Sequence, residues 1–71
     1  MHDLTEVQTL LGVRIRDRRR ELGLTQVALA TRAGLSRPSI ANVEAGRQNV
    51  GLRQLLSLAN ALDVEVAALF A

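Results

Sequence analysis

The sequence predicts an all-α domain of five helices over residues 1–71, and three observations carry that prediction. Apolar residues recur at three- and four-residue spacing along most of the chain. Helix start and stop signals punctuate those stretches at short intervals, most clearly at Thr25 and Gly34 and again at Ser36 and Gly46. Composition agrees: 48% of residues are apolar, yet Phe70 is the single aromatic. The core must then be built of Leu, Val, Ile and Ala, which suits packed helices.

The first helix is expected from about Leu4 to Leu22. Asp3 and Glu6 have capping-box spacing. Leu4, Val7, Leu11, Ile15 and Leu22 form one apolar stripe. Gly12 interrupts it at about 1 kcal/mol relative to Ala, so the helix either passes through Gly12 or breaks there, leaving residues 3–11 as a separate segment. Gly23 stops the helix. Thr25 then caps a second helix whose inner face is Leu29, Ala30 and Ala33, and Gly34 closes it. Only Gly34 and Leu35 separate that helix from the next N-cap, Ser36. So short a link forces a large crossing angle, with Leu35 plugging the crevice.

The third helix is expected over about Arg37–Ala45. Pro38 sits in its first turn, where no N–H is needed. Ile40 and Val43 face inward; Arg37, Ser39, Ala41 and Asn42 are left outward or lateral. Arg47, Gln48, Asn49 and Val50 form a polar, positive loop. A fourth helix over about Leu52–Leu62 presents Leu52, Leu55, Leu56, Ala59 and Leu62 on one face, and Asp63 breaks the pattern. A short apolar fifth helix covers about Glu65–Phe70.

A chain this small is marginal, because domains of its size bury only about 60% of their unfolded surface. No cysteine is present, which excludes a disulfide framework and a thiolate metal site. The longest apolar run, residues 66–71, is far below the roughly 18–20 residues of a membrane helix. A soluble, cytoplasmic protein is the expectation. The net charge of +2 conceals a strong asymmetry. Residues 12–53 hold all nine arginines with Asp17, Glu21 and Glu44, a net of +6, while each end carries −2. The middle of the chain suits a polyanion; the ends do not.

One pattern extends over most of the chain: Gly12-x-x-Ile15-Arg16, Arg19, Gly23-Leu24-Thr25-Gln26-x-x-Leu29-Ala30, Ala33-Gly34-Leu35-Ser36, Ile40 and Glu44-x-Gly46. It continues with Leu55, Leu58-Ala59, Ala61-Leu62, Val64 and Leu69-Phe70. In these residues the chain resembles the phage-repressor and Cro-like (XRE-type) helix-turn-helix family. The resemblance implies a five-helix repressor-like DNA-binding domain, with the helix-turn-helix at the second and third helices. The third helix would read double-stranded DNA, and the protein would act as a transcriptional regulator, a homodimer on a roughly two-fold symmetric operator. Location in the cytoplasm, at the nucleoid of a prokaryote or phage host, follows from that role. Residues 1–11 lie outside the match as an N-terminal extension. Val50 stands where the family often has Pro, Asp63 where it often has Gly, and Val27 and Ala28 where it has acidic or polar residues.

Site residues follow from chemistry and resemblance together. Arg can bond guanine O6 and N7 at once, and Asn can do the same with adenine N6 and N7. Arg37 and Asn42 are therefore the expected base readers, with Ser36 and Ser39 in reach of base or phosphate and Pro38 limited to apolar contact. Thr25 and Gln26, at a helix start whose free N–H groups favour anions, are expected at phosphate. Arg47, Gln48, Asn49 and Arg53 are expected along the backbone, where they set register and affinity. The resemblance implies a structural ion pair between Arg19 and Glu44. It also supports Leu58, Val66, Leu69 and Phe70 as the homodimer interface, although an apolar terminal helix can equally complete its own core. Arg14, Arg16, Arg18 and Arg20 divide between phosphate contact and plain surface.

Catalysis has little to stand on. His2 is the sole histidine, the carboxylates are scattered, and no phosphate loop or metal-ligand spacing is visible. No enzyme activity, cofactor, metal or small-molecule ligand is expected. The rival is a protein-interaction module such as an antitoxin or assembly factor, using Val27 and the apolar C-terminus. Arg37, Asn42 and Arg47 together favour DNA. Taken as a full-length protein, the chain would be regulated by concentration and dimerisation.

Overall fold

A computed structural model describes residues 3–70. They form α1 (Leu4–Glu21), α2 (Gln26–Ala33), α3 (Arg37–Glu44), α4 (Leu52–Ala61) and a C-terminal 3-10 helix (Val66–Phe70), and contain no strand. The expected fifth helix is thus present in 3-10 form, which short terminal pieces commonly adopt. His2 lies outside the described residues. Among the described residues, no helix is long and apolar enough to cross a membrane.

Local chemistry sets the helix ends. Asp3, Thr25 and Ser36 accept from the N–H groups of Glu6, Ala28 and Ser39 at 2.8, 3.0 and 3.1 Å. Each such cap contributes about 1 kcal/mol. The α2–α3 turn depends on a left-handed residue: Gly34 has φ +68, and Leu35 N–H returns to Ala30 O at 2.9 Å. The same closure ends α4, where Val64 N–H meets Ala59 O at 3.0 Å. There the left-handed position is held by Asp63, φ +54.

Helix α1 packs on α3 and the 3-10 helix, and α2 packs on α3 and α4. Every element contributes to one aliphatic core: Ile15, Leu29, Ile40, Leu58, Leu62 and Leu69 are the largest fully buried side chains. Two expected stripes are corrected. In α1 only Leu11 and Ile15 reach the core, while Leu4, Val7 and Leu22 are exposed. In α4 the inner face is Leu55, Leu58, Ala59 and Leu62, whereas Leu52 is 87% exposed and Leu56 54%. Both α4 registers satisfy helical spacing, and packing against α2 and the 3-10 helix selects one of them.

Helix α1 does not break at Gly12. A β-carbon there would lie 2.5 Å from Val43 O and 2.6 Å from Glu44 O. The missing side chain is what lets α1 approach the last turn of α3.

Candidate nucleic-acid interface

The two-residue turn holds α3 with Ile40, Val43 and Glu44 inward. Arg37, Pro38 and Asn42 are exposed on its other side, flanked by half-buried Ser39 and Ala41. The Arg37 and Asn42 side chains make no hydrogen bond or ion pair with any described residue. A guanidinium and a carboxamide, five residues apart on the same short helix, thus have no polar atom engaged within the chain.

Beneath this face, Arg19 of α1 and Glu44 of α3 form a bidentate pair. Arg19 Nε and Nη2 donate to Glu44 Oε2 and Oε1 at 2.6 and 2.9 Å, and both side chains are buried. Arg19 Nη1 also donates to Leu24 O at 2.9 Å, and Gln26 Nε2 to Glu44 Oε1 at 3.2 Å. The hydrogen bonds that Arg19 donates to Glu44 raise its guanidinium above its ordinary value against the opposing effect of burial, so Arg19 stays charged. Three helices meet at this pair, and it fixes how α3 is presented.

Several of the expected contact residues also bond within the chain. The Gln26 amide is turned toward Glu44. Thr25 Oγ1 and Ser36 Oγ are engaged as caps. Gln48 donates to Ser39 Oγ at 2.8 Å, so its amide faces α3. Asn49 Oδ1 accepts from Gln8 Nε2 at 2.6 Å. Arg47 and Arg53 are exposed.

Sequence spacing gave no sign of Gln8, because it meets Asn49 across 41 residues. Nor could it sort the arginines of α1. Arg18 Nε donates to Leu62 O at 2.9 Å and Nη1 lies 3.3 Å from Glu21, so Arg18 holds the end of α4. Arg16 and Arg20 instead line a notch with Gln26, Ala41 and Ala45, directly beside α3. Arg16 Nε is buried there with no hydrogen-bond partner among the described residues. Arg20 adds positive charge next to the exposed side of α3, and Arg16 Nε lies 3.8 Å from Asp17 Oδ1.

The expected dimer residues do not form one surface. Leu58 and Leu69 are 0% and 2% exposed within a single chain, so they belong to its own core and not to an interface. Val66 is half-buried and borders a cleft with Leu56. Phe70 lies elsewhere, grouped with Glu6, Val7 and Leu10 of the N-terminal extension. Val27 is 59% exposed on the outer side of α2.

An outward polar helix set by a tight turn on a helical core defines a helix-turn-helix DNA-binding domain. The Helix-turn-helix family model matches residues 15–69, and the chain belongs to that family, in its phage-repressor and Cro-like (XRE-type) branch. It is 44% identical over 59 residues to an immunity repressor protein of Bacillus phage phi105, a match covering 83% of this chain and 41% of the relative. The chain therefore spans less than half the length of that repressor. Among solved structures, the restriction-modification controller protein C.AhdI of Aeromonas hydrophila superposes with a TM-score of 0.87 at 43% identity, covering 89% of this chain and 96% of that one. The DNA-binding domain of the P22 c2 repressor gives a TM-score of 0.82 at 33% identity, covering 84% of this chain and 79% of that one.

Proposed function

We propose that this chain is a sequence-specific double-stranded DNA-binding transcriptional regulator, non-enzymatic and cytoplasmic, acting as a homodimer on a roughly palindromic operator. The single observation that carries the reading is the pair Arg37 and Asn42, exposed and without internal partners on the helix that the turn presents. Inserted in the major groove, Arg37 takes a guanine and Asn42 an adenine, each bidentate pair contributing about 1–3 kcal/mol of discrimination. Arg16, Arg20, Arg47 and Arg53 hold the flanking phosphates, which sets affinity and register. The immunity repressor, the controller protein and the c2 DNA-binding domain support the assignment by likeness.

For the dimer, once Leu58 and Leu69 are assigned to the core, the surface on α4 is exposed Leu52 and Leu56 with half-buried Val66 beside Leu56. A two-fold pair would set its reading helices about 34–36 Å apart, one turn of DNA. Selection of bound sequences from a random DNA pool at near-physiological salt tests both parts. The expected result is an inverted repeat with half-sites about one helical turn apart. A single half-site would refute the dimer. Recovery of no motif would refute sequence reading.

A further inference from the structure

From the Gln48–Ser39 contact we infer that Gln48, in the loop after the reading helix, is a specificity-determining residue that acts through the Ser39 hydroxyl. The inference rests on the DNA-reading assignment above. Gln48 Nε2 donates to Ser39 Oγ at 2.8 Å, and both residues are half-buried. The loop is anchored to the helix it follows. Gly46 N–H returns to Val43 O at 3.1 Å and Arg47 N–H to Asn42 O at 2.9 Å. Gln48 therefore approaches Ser39 from a backbone tied to the same helix.

A serine hydroxyl carries one proton and two acceptor positions, and it rotates to suit its surroundings. Unrestrained, Ser39 could donate to a base or accept from one and would discriminate little. The Gln48 amide fills one acceptor position and biases the proton outward. Ser39 is thereby turned into a donor, matched to the acceptor edges of the major groove: guanine N7 and O6, adenine N7 and thymine O4. Donor edges, cytosine N4 and adenine N6, are disfavoured. Gln48 touches no base itself; it sets the polarity of a residue that does.

Four variants test this by random-pool selection beside the unaltered chain, with folding checked by circular dichroism. In Gln48→Glu the carboxylate can only accept, so it takes the Ser39 proton and leaves lone pairs facing the groove. The selected base at one position of each half-site should change from an acceptor edge to a donor edge. In Gln48→Ala the preference at that same position should weaken about fivefold, the worth of one ordinary hydrogen bond. In Ser39→Ala, adding Gln48→Ala should change no base preference further. Equal weakening on all sequences, with every base preference intact, would overturn the inference and leave Gln48 a backbone contact. Failure of the unaltered chain to select any motif would instead overturn the DNA-reading assignment, and this inference with it.

Discussion

Glu44→Ala is expected to destabilise the domain by about 3–5 kcal/mol, as removal of one partner from a buried ion pair typically does. Arg19, whose pKa in the parent is held above the ordinary value by the bonds it donates to Glu44, is left charged and unpaired in a place from which water is largely excluded. Gln26 loses its acceptor in the same step. A domain of this size has only about 4–10 kcal/mol of stability in total, so the variant should be largely unfolded or close to it at growth temperature. Urea unfolding measures the loss. The double variant Arg19→Met/Glu44→Leu should recover most of it, because buried pairs replaced by packed apolar groups are often neutral or stabilising. A Glu44→Ala protein as stable as the parent would show that the pair is not buried as described. Loss of DNA binding in an Arg19 variant is then a folding effect, not proof of contact with DNA.

Gly12→Ala separates sequence reasoning from structure by sign. Helix propensity alone says that alanine should stabilise an interior helical position by about 1 kcal/mol. The structure says the opposite. The added carbon would sit 2.5 and 2.6 Å from two carbonyl oxygens of α3, both backbone, which cannot rotate away. Relief requires α1 and α3 to move apart, and that movement also strains the Arg19–Glu44 pair. Overpacking of this kind costs about 1–3 kcal/mol and occasionally more. With no flexible side chain to absorb it, a net loss of about 2 kcal/mol or more is expected in chemical denaturation. A stabilised variant would mean that the two helices do not touch at Gly12.

What was legible in the sequence is what local chemistry decides. Thr25, Gly34, Ser36 and Gly46 act on their own neighbours through caps and left-handed turns, so their spacing placed α2, α3 and the turn between them. The inner faces of those helices followed from period alone. In α4 two leucine registers fit the same period, and only tertiary packing exposes Leu52 and Leu56 while burying Leu58. Gly12 read as a defect because its reason lies about thirty residues away in α3. Arg19 and Glu44, 25 residues apart, were paired by family resemblance, since nothing in their spacing links them. Arg16 and Arg18 are two residues apart on one helix, yet one lines the notch beside α3 and the other holds Leu62. Asp63 departs from the family pattern but keeps its geometry: the chain still turns left-handed there, with an aspartate at φ +54. Short polar side chains tolerate that conformation better than most.

The most direct test of DNA reading by α3 compares the parent chain with Arg37→Ala/Asn42→Ala on one duplex carrying the selected site and one of scrambled sequence, across a salt series. Both residues are exposed, so the variant should fold as the parent does. Loss of two bidentate base contacts should remove about 2–6 kcal/mol of discrimination. The variant would then bind both duplexes weakly and with steep salt dependence through its remaining arginines, with only the small preference that Ser39 carries between them. Preference for the selected site retained in full by a folded Arg37→Ala/Asn42→Ala protein would contradict the assignment of Arg37 and Asn42 as the base readers of α3.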